Sequence, residues 1–236
     1  EIIVYYFTNL QLLSKRSMLQ TLLFVGVAVG VILLTIFERQ QPRRWIAAAG
    51  KTVASLCFVC VALIGDCASS HTLSGTLILL GLIVGAVGDV CLLSASNGTV
   101  FHMGVRAFLA GHIFYVVAFF TAGVDLQAAL LSLIVLLPVA ILVLKWVMPQ
   151  VPQNMKVSAF LYVVVISVMV LCSVGTHAAL GTANSQQLLV AAVLFFISDL
   201  CVAQTRFIGR IAWVRASGLY IYYLAQTLFA TACHLN

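Results

Sequence analysis

The sequence predicts an all-α polytopic membrane protein, a transmembrane bundle of about eight spans. Three observations carry that expectation. Of 236 residues 63% are hydrophobic and 8% charged, the mean hydropathy is +1.16, and long apolar runs follow one another with short polar breaks. A soluble domain usually carries about 25% charged residues, and a water-facing fold has no means of covering so much apolar surface. A bilayer crossing takes about 20 mostly apolar residues. Lipid supplies no partner for open backbone groups and the runs lack the alternation of barrel strands, so each crossing is read as a helix.

Taken in order, the expected spans are 18–37, 45–64, 72–93, 101–123, 126–147, 157–180, 186–205 and 216–235. The intervening segments 38–44, 94–100 and 148–156 carry Pro, Gly, Asn or charge, the usual punctuation between helices. Residues 1–13 are apolar but too short to cross. Residues 1–17 are therefore expected to be a short amino-terminal segment, interfacial or foreign to the domain, ahead of a single transmembrane domain over 18–236. Internal repeats and low-complexity tracts are not evident.

The formal charge of +6 arises from 12 Lys and Arg against 6 Asp and Glu. The basic residues are dispersed among loops, which argues against nucleic acid as a partner. With eight spans the loops alternate sides. Arg39, Arg43, Arg44, Lys145, Lys156, Arg206, Arg210 and Arg215 then fall on one side, and Lys15 and Arg16 on the other. The positive-inside rule makes the richer side cytoplasmic and sends both termini outward. The seven cysteines lie mainly within apolar runs, where cysteine packs as a small hydrophobe, and no disulfide framework is expected. Cys57 and Cys60 have redox or metal spacing, but no second pair accompanies them.

On this map Lys51 lies six positions into the second helix from its cytoplasmic end, while Asp89 and Asp199 lie shortly before the cytoplasmic ends of the third and seventh. Arg106, His112, Tyr162, Tyr222, Tyr223 and Gln226 enter from the same side, at depths of roughly 8–16 Å given the helical rise. The polar groups therefore converge on one leaflet. A charged group at that depth costs a few kcal/mol unless paired or hydrated, so an intramembrane carboxyl group is a functional candidate by default.

Asp89 and Asp199 are the acidic residues so placed. Glu1, Glu38, Asp66 and Asp125 fall at the terminus or in loops. The pair admits a structural reading, with Lys51 or Arg106 neutralising a carboxylate and fixing helix packing. It equally admits catalysis, because two carboxyl groups in a partly dry setting can divide into an acid and a base. Gly85 and Gly88 permit close helix approach beside Asp89. Phe108, His112 and Tyr115 form one helical stripe, and Tyr222 or Tyr223 with Gln226 forms another.

Together these residues resemble a known family. Gly88, Asp89, Leu92 and Leu93, followed by Phe101, Gly104, Phe108, His112 and Tyr115, are similar to the central signature of the lysoplasmalogenase (YhhN-like) membrane proteins. Ser198 and Asp199 resemble its second acidic motif, and Tyr222, Tyr223, Ala225 and Gln226 its carboxyl-terminal motif. Lys51 matches the basic residue of the second helix, although Thr52 stands where a proline often follows.

The resemblance implies hydrolysis of the vinyl ether bond of a single-chain ether lysophospholipid, a lysoplasmalogen, to a fatty aldehyde and glycerophospho-ethanolamine or glycerophosphocholine. It implies Asp89 and Asp199 as the catalytic pair, with no cofactor. Lys51 and Arg106 would attract the phosphate, and His112, Tyr162, Tyr222, Tyr223 and Gln226 would line the substrate site. The expected location is the endoplasmic reticulum in a eukaryote or the inner membrane in a bacterium, with the site nearer the cytoplasmic leaflet.

A transporter or proton-coupled channel is the alternative that residue physics leaves open. Against it, the outer halves of the helices offer little beyond His177 and scattered Ser and Thr. A zinc-dependent membrane amidase would draw on His71, His102, His112, His177 and His234, which fall at different depths without paired helical spacing, so no metal site is expected. Ser198 lacks the sequence context of a nucleophile elbow.

Overall fold

A computed structural model describes the backbone of residues 2–37, 44–65, 67, 72–93, 98–233 and 235, with side chains described from residue 17 onward except at 37 and 44. The side chains of Lys15, Arg16, Arg39, Arg43 and Arg44 lie outside the described set. So do those of Glu1, Glu38, Asp66, His71 and His234.

Eight long α-helices, and no strand, occur among the described residues. They are α1 (Ile2–Phe37), α2 (Arg44–Ile64), α3 (Leu73–Leu93), α4 (Gly98–Ala122), α5 (Leu126–Val147), α6 (Lys156–Leu180), α7 (Ala183–Ala203) and α8 (Ala212–Thr231). Helix α1 begins at Ile2, so residues 2–17 continue directly into the first span. Among the described residues seven helices are long and apolar enough to cross a bilayer, within Ser17–Ile36, Trp45–Ile64, Leu73–Leu93, Gly98–Ala122, Leu126–Gln150, Gln153–Leu180 and Ala183–Ile208. At 20 residues α8 has the length to cross but is less apolar. Its Tyr222, Tyr223 and Gln226 are buried against other helices, where their hydroxyl and amide groups find partners.

Leucine, valine and isoleucine clothe the outside of the bundle, as a lipid solvent requires. On α5, Leu130, Ile134, Val135 and Leu142 are each more than 60% exposed. Inside, small residues set the spacing. A methyl group at Gly50 would sit 2.6 Å from the carbonyl oxygen of Gly30 on α1, and one at Gly111 would sit 3.2 Å from that of Gly81 on α3. Without much hydrophobic drive between helices in lipid, such close approach supplies packing and short polar contacts.

The connections are built by local capping. Asp125 caps α5, its carboxylate accepting from the amides of Gln127 and Ala128 at 2.9 and 3.1 Å, which accounts for one loop carboxylate. Helix α6 stops at Gly181, whose φ of 62° favours glycine. Thr182 then opens α7 through a capping box with Ser185. His177 belongs to this turn, its Nδ1 lying 3.1 Å from Ser185 Oγ.

One expectation about the cysteines fails. Cys67, just past α2, is disulfide-bonded to Cys233, just past α8, with Cα atoms 4.8 Å apart. The two are 166 residues apart in sequence, and only the antiparallel threading of the bundle brings their helix ends together. Cys57 and Cys60 are free thiols within α2.

Candidate active site

Helix α8 is central to the site because it packs against α1, α2, α3 and α7. Its inward stripe meets Asp89 near the end of α3. Asp89 is 2% exposed, and its oxygens are fully engaged: Lys51 Nζ lies 3.0 Å from Oδ1, while Ser55 Oγ and Tyr222 Oη each donate to Oδ2 at 2.7 Å. Both oxygens therefore act as acceptors, which is the role of a carboxylate. Lys51 and Ser55 stand one helical turn apart on α2, so one face of that helix supplies an ammonium and a hydroxyl together.

The network continues outward in two directions. Tyr223 donates to the backbone carbonyl of Lys51 at 3.2 Å and lies 3.3 Å from Ser55 Oγ. On the other side Gln226 donates to Tyr222 Oη at 3.1 Å and accepts from Tyr115 at 2.8 Å. Gly85 makes room for that amide, since a methyl group there would stand 2.7 Å from Gln226 Nε2. We expect Gly85→Ala to drive the Gln226 amide from its position and to leave Tyr115 without its acceptor. The cost is about 1–3 kcal/mol, measured as a lower thermal unfolding midpoint in detergent; an unchanged midpoint would mean that the amide is not confined there.

Asp199, near the end of α7, has different company. Its side chain retains 18% exposure, yet its Oδ2 is buried and lacks a hydrogen-bond partner. Facing it at 3.6 Å is Nε2 of His112, also buried and without a hydrogen-bond partner. The other ring nitrogen of His112 lies 2.7 Å from the carbonyl oxygen of Phe108, one turn earlier on α4. Tyr162 of α6 stands beside the Asp199 carboxyl group and packs edge-on against His112 at 5.3 Å. Ser198, beside Asp199, donates to the Gly218 carbonyl at 3.0 Å and so ties α7 to α8.

The two acidic groups occupy adjoining compartments and share no direct polar partner among the described residues. Between them stands an aromatic wall. Phe195 is 4.5 Å from the His112 ring and 5.4 Å from Tyr222, and Phe108 is 5.8 Å from Tyr222. The structure thus brings together Asp89, Lys51, Tyr222, Tyr223 and Gln226 in one cluster, and Asp199, His112 and Tyr162 in the next. Arg106 stands apart: its side chain is exposed and makes no ion pair among the described residues. A helix presents only part of its circumference inward, and position 106 falls on the outer part.

Sequence reasoning missed Ser55, which its one-turn spacing from Lys51 would have flagged, and Phe195, which carries no polar signal. An open apolar groove of about 240 Å³ runs between α1 and α8, lined by Phe24, Val27, Val31, Ile32, Tyr223 and Leu224 among others. Its lining includes neither aspartate. Tyr223 is common to this groove and to the Asp89 cluster.

The fold and these clusters define a polytopic helical membrane protein with an acidic polar centre inside its bundle. The chain belongs to the YhhN family, whose family model matches residues 44–233. It is also similar to the protein named Lysoplasmalogenase TMEM86A from Bos taurus, with 31% identity over 165 residues, covering 66% of this chain and 65% of that relative. The chain therefore aligns with just under two thirds of that relative's length. No solved structure matches significantly.

Proposed function

We propose that this chain is a membrane-embedded hydrolase that cleaves the vinyl ether bond of lysoplasmalogens, releasing a fatty aldehyde and the glycerophospho-ethanolamine or glycerophosphocholine. Membership of the YhhN family and the likeness to a protein named as a lysoplasmalogenase support the reaction class. The observation that carries the chemistry is the unlike surroundings of two intramembrane carboxyl groups on helices that both pack against α8, one ringed by donors and one facing an acceptor.

A vinyl ether is hydrolysed by protonation of its outer alkene carbon. This creates an oxocarbenium ion, which water captures as a hemiacetal that falls apart to aldehyde and alcohol. The reaction needs an acid and a nearby anion, the division of labour that paired carboxyl groups perform in glycosidases. Asp89 and Asp199 supply those two functions. The hydrocarbon chain lies in the apolar groove between α1 and α8, where Tyr223 links groove and polar cluster.

The orientation expected from the basic residues has independent support. The Cys67–Cys233 disulfide lies beyond the ends of α2 and α8, on the side away from Lys145, Lys156, Arg206 and Arg210. Disulfides persist in oxidising compartments rather than in the cytosol.

The test is to incubate purified protein in lipid nanodiscs with a lysoplasmalogen and, separately, with its saturated ether analogue, and to assay free aldehyde. Release from the vinyl ether alone is the expected result. Failure to release aldehyde from either lipid would overturn the proposal, and movement of intact lipid without cleavage would favour a transporter.

A further inference from the structure

We infer that His112 and Asp199 hold one proton between them, that it resides on Asp199, and that Asp199 is therefore the acid of the pair and His112 its positioning residue. This rests on the proposed hydrolysis and goes beyond it by assigning roles to the two carboxyl groups.

The argument begins with hydrogen-bond bookkeeping at the imidazole. A backbone carbonyl only accepts, so the 2.7 Å contact between Nδ1 and the Phe108 oxygen places a proton on Nδ1. In neutral histidine the remaining nitrogen, Nε2, is then a bare lone pair. It points at Asp199 Oδ2, 3.6 Å away, and neither atom has another hydrogen-bond partner. Two acceptors facing each other in a buried site are costly, whereas a single proton on either one makes the contact attractive and leaves only a small approach to reach hydrogen-bond distance.

The surroundings decide which atom carries it. His112 is 1% exposed and packed edge-on by Phe195 and Tyr162. Among the described residues, Tyr162 from α6 and Cys201 on α7 face the pair and Tyr222 from α8 stands behind Phe195, none of them cationic at neutral pH. The ammonium of Lys51 is engaged with Asp89. An imidazolium facing a carboxylate would be a buried ion pair, an arrangement whose desolvation cost can exceed its attraction. A neutral carboxyl group donating to a neutral imidazole avoids that cost. Asp89, whose oxygens accept from one ammonium and two hydroxyls, has no such vacancy for a proton.

In turnover the carboxyl O–H bond of Asp199 breaks as a C–H bond forms at the outer vinyl carbon from the alkene electron pair, and an ether oxygen lone pair fills the adjoining carbon. Water adds at that carbon and its proton returns to the Asp199 carboxylate. The hemiacetal then separates into aldehyde and glycerol hydroxyl, with no net change in protons. Between those steps Oδ2 and Nε2 are again two facing acceptors, which favours recapture of the proton.

The test is isotope-edited infrared spectroscopy on the full chain in nanodiscs at neutral pH, with carbon-13-labelled aspartate. The expected result is a protonated carboxyl stretch that shifts on labelling, persists in Asp89→Asn, disappears in Asp199→Asn and moves to higher frequency in His112→Phe. Absence of the band, its survival in Asp199→Asn, or indifference to His112→Phe would overturn the inference. Should Asp199→Asn not fold, the nitrogen-15 spectrum of His112 in the unaltered protein decides: a neutral ring protonated at Nδ1 supports the pair, and an imidazolium pattern sinks it. Neither reading depends on turnover. The band without aldehyde release would defeat the hydrolase proposal alone, and aldehyde release without the band would defeat only the role assignment.

Discussion

Asp199→Asn is expected to lower aldehyde release from a lysoplasmalogen by about 10²–10⁴-fold, the usual contribution of a positioned general acid. Asparagine keeps the volume of the side chain and retains a group for Tyr162 to meet, but it has no carboxyl proton to deliver. The loss should therefore fall on kcat, with little change in KM. Asp89→Asn is expected to cost about 10²–10³-fold through a different route, because it removes the negative charge placed to stabilise the oxocarbenium ion. Initial rates at saturating lipid, measured on variants that elute as folded protein, give both values. Wild-type kcat in either variant would show that its carboxyl group takes no part in the reaction.

Much of this arrangement was legible in the sequence, and the limits of that legibility have physical causes. Depth along a helix can be read by counting residues, which is why the sequence alone groups Lys51, Asp89, His112, Asp199 and Tyr222 at similar depth. Rotation about the helix axis is harder to read in a chain whose lipid-facing and protein-facing surfaces are both apolar. Arg106 illustrates the difficulty: its depth suits a phosphate or a carboxylate partner, but it faces outward, and Lys51 alone meets Asp89.

The aromatic wall was invisible for a related reason. Phe108 and Phe195 are ordinary apolar residues in sequence, yet their rings stand between the two acidic clusters. Asp89 and Asp199 consequently sit in adjoining compartments with separate partners. The Cys67–Cys233 bond was missed because cysteine in an apolar run reads as packing, and pairing across 166 residues depends on which helix ends become neighbours. By contrast, the similarity of Gly88, Asp89, Phe108, His112 and Tyr115 to a family signature anticipated residues that touch one another in the fold, as the contact of Gly88 with the Phe108 ring illustrates.

The second large effect concerns stability. Lys51→Met is expected to destabilise the folded protein by about 3 kcal/mol, toward the lower end of the range for breaking a buried pair by removing one partner. Methionine fills much the same length of space, so the principal loss is the ammonium 3.0 Å from Asp89, a side chain 2% exposed. Ser55 and Tyr222 continue to donate to the carboxylate at 2.7 Å, which moderates the loss without neutralising the charge. Adding Asp89→Asn to Lys51→Met should recover most of that stability, because asparagine accepts from Ser55 and Tyr222 while carrying no charge, although activity remains lost. Unfolding midpoints for the two single variants and the double variant close the cycle. Equal and additive losses would mean that Lys51 and Asp89 contribute independently, and the ion pair would then not be what holds α2 against α3 at the site.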